Sequence, residues 1–342
     1  TIRSIMDAKS VQIDDLSKEL EVSSAYLSRL LSGNEEVDHR IASQISSALG
    51  GTPGFWLGRQ RQFYLDKKRI YAENESVRRS EWLRDLPLNY LTRHSWIFGD
   101  GDNKASVCEL LSFFGVETVE EFDHKFQYVA DSVNLKTSHT YENNPLSVIT
   151  WLRAAELSAQ VTHRSSWSRQ ELIDALPQIK SFSRIRDTTA AINNLKNTLG
   201  QCGIRLSLIE APDGCRATSA VFLTGENNPV IVLSKRYRTD DHFWFAVLHE
   251  IGHLVIGHDC AAHIETAQKD DSDAEAEANS FAAQQIVPEE YEQALRETSK
   301  NTKSVLRFAK ALGVSPGLIV GQMQFRGMVK HNWLNHLKRR IF

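Results

Sequence analysis

The most specific chemical signal in this 342-residue chain is a pair of histidines four residues apart, His249 and His253, with Glu250 directly after the first. On a helix, positions i and i+4 share a face, so the two imidazoles can hold one metal ion between them. Glu250 is then placed to take a proton from a water that the ion acidifies, which is the chemistry of zinc-dependent peptide hydrolysis. The flanking residues supply the helix. Asp241 to Leu248 run into the motif and Leu254 to Ile256 run out of it, mostly apolar, with Asp240 or Asp241 to cap the start and Gly257 to end it. So apolar a helix is buried, and two buried histidines on one face need a ligand to justify them.

A gluzincin-type site draws its third ligand from a second helix, and Asp273 to Ala282 offers one. Glu275 and Asn279 stand at i and i+4, so Glu275 can bind the metal while Asn279 hydrogen-bonds a ligating histidine. Glu277 is the rival, but at about 100° per residue it faces about 200° away from Glu275. His258, Cys260 and His263 crowd the same region. Their offsets from His253 do not fit a metzincin, and they read as polar residues of a loop after the helix end.

Residues 203–209, 217–223 and 229–234 are rich in Val, Ile and Leu and are separated by Pro-Asp-Gly and Gly-Glu-Asn-Asn, so they predict a small antiparallel sheet. An exposed sheet edge can hold an extended peptide by strand addition. Phe243 through His253, then Glu275 through Ala283 ending at Pro288, resemble the ImmA/IrrE family of metallo-endopeptidases. Gln285-Ile-Val-Pro288 departs mildly from the family's usual Leu-Leu-x-Pro. The resemblance implies a small helix-and-sheet domain, Zn2+ on His249, His253 and Glu275, Glu250 as the base, and often a partner DNA-binding repressor as substrate.

A second module opens the chain. Asp14 to Leu20, a turn at Glu21-Val22, and Ser23 to Leu31 read as helix, turn, helix, and Arg40 to Leu49 adds a third helix. Leu16, Leu20, Val22, Leu27, Leu30, Ile41, Ile45 and Leu49 form the expected core. Ser23, Ser24, Tyr26, Ser28 and Arg29 then face outward, with groups suited to phosphates and base edges. The segment resembles XRE-type helix-turn-helix repressors, and Thr52-Pro-Gly-Phe-Trp56 resembles the ending of antitoxin-type members. Residues 1–70 hold ten Lys/Arg against nine Asp/Glu, so no broad basic field drives binding to DNA.

The expected organisation is a helix-turn-helix domain over 1–70, a charged, helix-permissive linker over 71–84, a helical middle region over 85–180, a peptidase domain over 181–295, and a helical segment with a basic tail over 296–342. The fold class is α+β, mostly helical. Trp96, Trp151 and Trp167 read as core residues of the middle region, and Lys330, Lys338, Arg339 and Arg340 as a solvated tail. A net charge of −3 singles out no strongly charged partner, and 41% hydrophobic content supports two or three cores. The four cysteines form no Cys-x-x-Cys pair. With neither a signal peptide nor a membrane span in the sequence, they suggest a reducing, cytoplasmic setting.

The function expected is a DNA-binding regulator that carries a zinc endopeptidase. Its partners are operator double-stranded DNA, a repressor or antitoxin-type protein as substrate (or the chain itself, cut between Lys67 and Arg84), single-stranded DNA as a candidate activator, and a second copy in a homodimer, with no membrane. The alternative is a repressor or antitoxin whose metal site is structural or ligand-sensing, closed by His258 or Cys260.

Overall fold

The computed structural model describes residues 2–98, 104–135, 144–159, 166–224, 228–236, 238–257, 263–266 and 273–342. The chain divides into two compact units, Thr1–Glu81 and Trp82–Phe342.

The first unit holds α1 (Ile2–Lys9), α2 (Ile13–Glu19), α3 (Ser24–Ser32), α4 (His39–Leu49) and most of α5 (Pro53–Asp85). Ser23 caps α3 by accepting from Tyr26 N, and Asp38 caps α4 by accepting from Ile41 N. Each side-chain oxygen satisfies one of the amides a helix start leaves open. Gly33 ends α3 in the left-handed conformation, with φ +80°. Met6, Leu16, Leu20, Leu27, Leu30, Ile41, Ile45, Leu49 and Trp56 form the core, while Val22 is only partly buried.

The expected linker is not a separate element. Residues 71–84 continue α5 as helix, because the charged run lacks Gly and Pro and its i,i+4 pair Glu75–Arg79 is compatible with helix.

The second unit comprises the end of α5, α6 (Leu88–Arg93), α7 (Lys104–Phe114), α8 (Val119–Leu135), α9 (Pro145–Ser158), α10 (Arg169–Phe182), α11 (Thr188–Gln201), β1 (Arg205–Ile209), β2 (Ala217–Leu223), β3 (Pro229–Ser234), α12 (Asp240–Ile256), β4 (His263–Thr266), α13 (Asp273–Ile286), α14 (Glu292–Glu297), α15 (Thr302–Leu312) and α16 (Pro316–Phe325). The strand order is β1-β3-β2-β4.

The sheet is mixed rather than antiparallel. β2 pairs antiparallel with β3 and β4, but β1 pairs parallel with β3, Leu206 opposite Ile231. The chain reverses twice between β1 and β3, so a β1 laid beside β3 must run the same way. β3 is buried along its whole length, as suits an apolar run flanked on both edges and both faces.

One sheet face, with Ala220, Phe222, Val230 and Val232, packs on Val148, Trp151, Leu152 and Ala155 of α9. The other, with Val221, Ile231 and Leu233, packs on α12, with α11 beside β1, and belongs to a core that α10, α13, α15 and α16 extend away from the sheet. The expected boundary near residue 180 falls inside α10, whose Leu172, Leu176 and Ile179 belong to the same core as Val221, Ile231 and Leu233. Trp82, Tyr90, Phe113, Phe114 and Phe122 form a separate aromatic cluster with α6, α7 and α8. Trp151 is fully buried, and Trp96 and Trp167 pack partly buried against their clusters. Among the described residues no single helix is long and apolar enough to cross a membrane.

Candidate metal centre

α12 starts at Asp240 after Thr239 and ends at Gly257, whose φ of +87° is the left-handed conformation that lets the chain leave the helix. Phe243, Val247, Leu248 and Ile251 anchor it in the core. His249, Glu250 and His253 lie on it at 0%, 1% and 1% exposure. α13 lies alongside with Glu275 at 3% exposure, while Glu277 is exposed. The approach of the two helices depends on Gly252. A Cβ there would lie 3.1 Å from Phe281 Cδ1 and 3.3 Å from Ala278 Cα, tighter than ordinary packing.

That approach brings the three ligand candidates together. His249 Nε2 lies 3.0 Å from Glu275 Oε2 and 3.1 Å from His253 Nε2, and His253 Nε2 lies 3.6 Å from Glu275 Oε2. Asn279 Oδ1 lies 3.1 Å from His249 Nδ1 and, being an amide oxygen, accepts its proton, which in the neutral ring leaves Nε2 as a lone-pair donor. Two ring nitrogens and a carboxylate oxygen meeting so closely repel one another unless a proton or a cation sits among them. Tetrahedral zinc with ligands at about 2.0–2.2 Å separates them by about 3.4 Å, within the observed spread. The donor set therefore fits zinc. With no cation bound, protons on the histidines take its place: burial would push the Glu275 carboxyl up, but hydrogen bonds from the two imidazoles and their charge outweigh it and hold it below the usual range.

Two further acidic residues at the start of α12 have a different part from the capping expected of them. Asp240 and Asp241 are buried at 0% and 3% exposure, and no side-chain cap is made. Arg339 N and Nε donate to Asp240, and Lys338 Nζ sits 2.5 Å from Asp241 Oδ2. Burial pushes the Asp240 carboxyl up, opposed by its bonds to Arg339 and Ser315. The expected solvated tail is thus partly internal, because two buried carboxylates require cations beside them. Paired Asp residues opening an apolar helix, with an unbalanced Lys-Arg-Arg run far along the chain, were the signal available.

His258 and Cys260 lie outside the described residues, and His263 falls in β4 rather than a loop. In the first unit, Ser24 Oγ donates to Asp14 Oδ1, and Arg29 Nε donates to Glu35 Oε1 at 2.9 Å while its guanidinium lies over the Tyr26 ring. Ser23, Ser24, Ser28 and Arg29 are exposed, and Tyr26 is half-buried.

His249, His253 and Glu275 thus converge where two packed helices, α12 and α13, meet beside a small sheet. Residues 206–321, about a third of the chain, match the Peptidase M78 family, described as the IrrE N-terminal-like domain. A protein of Thermococcus kodakarensis described as "Putative nickel-responsive regulator" is 30% identical over 82 residues, 24% of this chain and 59% of that protein. The chain thus spans somewhat over half the length of that relative.

Proposed function

We propose that the chain is a DNA-binding regulator carrying a zinc-dependent endopeptidase that acts on a partner repressor or antitoxin-type protein. The observation that carries the reading is the convergence of His249, His253 and Glu275, whose ligand atoms lie within 4.8 Å of one another, inside the stretch that matches the peptidase family. A zinc ion held by His249, His253 and Glu275 would supply Lewis acidity and lower the pKa of a water towards about 7. Glu250, next to His249 on α12, takes the proton of the attacking water and returns it to the leaving amine. Asn279 holds the His249 ring and its tautomer. β1 and β4 are the sheet edges, and β4 lies in the chain between the two ligand helices, so its outer side suits an extended peptide.

Operator contact is assigned to α3 through Ser23, Ser24, Tyr26, Ser28 and Arg29, with the protein acting as a homodimer on two half-sites. Arg29 would exchange Glu35 for a phosphate or base edge.

The test is metal content followed by cleavage. The purified chain binds about one zinc, His249→Ala and Glu275→Ala lose it, and Glu277→Ala and Glu250→Gln keep it, while Glu250→Gln alone fails to cut proteins encoded beside this gene. Zinc retained in Glu275→Ala but lost in Glu277→Ala overturns the ligand assignment.

A second reading is a structural or ligand-sensing metal site. It is favoured by the near-complete burial of the centre and by the description of the Thermococcus kodakarensis relative as a nickel-responsive regulator. Nickel is therefore titrated beside zinc. A closed four-ligand coordination sphere with no cleavage by wild type decides for this reading.

A further inference from the structure

α12 carries both histidines, so its roll and depth set where they point. Its start is seated by residues outside the 206–321 family match. Thr239 forms an antiparallel bridge with Arg340, Asp240 N donates to Arg339 O at 2.9 Å, and Ile341 N donates to Arg238 O at 3.0 Å. The backbone of 339–341 is therefore strand-paired to the helix start. Charge locks the same place. Arg339 bonds Asp240 and also donates to the carbonyls of Ile185 and Ser183 beyond α10, and Lys338 bonds both Asp241 and Gln324 Oε1.

The two locks grip the helix about 100° apart, so it can neither slide nor roll. His249 is nine residues beyond Asp240, which at about 100° per residue places it on the opposite face. On the Asp240 and Asp241 side, α16 has no room to give. A Cβ at Gly317 would fall 2.2 Å from Asp240 Oδ1, and one at Gly321 3.0 Å from Asp241 Cβ. On the histidine side stands α13 with Glu275. The helix is held between a backstop made of α16 and the 338–341 strap and the element that bears the third ligand.

We propose that Lys338 and Arg339 are positioning residues of the metal centre, whose ion pairs with Asp241 and Asp240 fix the roll of α12 and thereby its affinity for zinc. The proposal rests on the reading of His249, His253 and Glu275 as ligands. A pure stability role would lower the melting temperature and leave the zinc affinity of the folded chain unchanged. A positioning role weakens the affinity itself, by the 10- to 100-fold typical of groups that orient ligands from behind.

The experiment titrates zinc into the full chain against a competing chelator, and follows amide exchange of α12 in the metal-free protein. Arg339→Met is expected to weaken zinc binding about tenfold and to speed exchange in α12. Arg339→Lys restores part of the loss, since it keeps a charge beside Asp240 without the fork to Ser183 and Ile185. Lys338→Met probes the second lock and serves if Arg339→Met does not fold. Phe122→Leu, in the separate aromatic cluster, is the control for lost stability and keeps wild-type affinity. His249→Ala secures the centre by abolishing binding. Zinc affinity within twofold of wild type in both Arg339→Met and Lys338→Met, or an equal loss in Phe122→Leu, overturns the proposal while the centre stands. Zinc binding that His249→Ala leaves intact overturns the centre and the proposal together.

Discussion

Gly252→Ala tests how closely the two ligand helices must approach. The new Cβ would stand 3.1 Å from Phe281 Cδ1, 3.3 Å from Ala278 Cα and 3.4 Å from Ala278 O. The phenyl ring can turn aside, but the Ala278 contacts are backbone, so α13 must withdraw by about 0.3–0.5 Å to reach ordinary contact distance. Glu275 is one turn from Ala278 and moves with it. Metal–ligand distances are held to about 0.2 Å, so a shift of this size strains the bond to Glu275. Without metal the net effect on stability is a loss of about 0–2 kcal/mol: Ala gains about 1 kcal/mol of helix propensity, and overpacking costs about 1–3 kcal/mol. The expected result is a metal-free protein within about 2 kcal/mol of wild type in urea denaturation whose zinc dissociation constant rises about tenfold. Unchanged zinc affinity together with the expected small change in stability would refute the argument that Gly252 sets the ligand geometry.

Trp151→Ala removes the largest side chain between α9 and the sheet and should cost about 3–5 kcal/mol, read as an earlier urea midpoint of the second unit; a loss under 1 kcal/mol would show that α9 is not part of that core. Burial pushes the Tyr90 hydroxyl, which donates to Glu210 O, up to about 12 from an ordinary value of 10. Its contribution to stability, on the order of 3 kcal/mol, is therefore complete below pH 10 and is lost as pH rises towards 12, so Tyr90→Phe should flatten the fall in stability over that interval. Leu16→Ala should destabilise the first unit by about 2–5 kcal/mol and leave zinc content unchanged, which calorimetry and metal analysis report together. Arg29→Ala should weaken operator binding measured by footprinting, and binding that survives deletion of residues 1–70 would remove α3 from the DNA-binding assignment.

Much of the frame of the candidate metal centre could be read from residue order alone. An apolar run broken by Gly257 marks α12 to within a residue of its end, and the three apolar segments fall on β1, β2 and β3. The helical face argument separates buried Glu275 from exposed Glu277. Strand direction was not legible, because periodicity says which residues pair into a sheet and nothing about which strand lies beside which. β4 was hidden by its length of four residues. The packing of α9 on the sheet depends on contacts more than fifty residues apart, and local pattern does not encode them. The same holds for Lys338 and Arg339: a basic run looks solvated until the acidic residues it meets, about a hundred positions earlier, are known to be buried.

The unbroken helix from Pro53 to Asp85 changes what self-cleavage would require. A peptidase cleft takes peptide in extended form, at about 3.3 Å per residue, whereas a helix advances about 1.5 Å per residue. Presenting ten residues between Lys67 and Arg84 therefore means melting nearly three turns and lengthening that stretch by about 18 Å. A scissile bond in this stretch would be latent in the folded chain, and its rate of cutting in cis would be limited by how often α5 unravels. If the chain does cut itself there, substitutions that only loosen this helix, such as Gly in place of exposed Ser76 and Ser80, would accelerate the cut without touching the candidate metal centre.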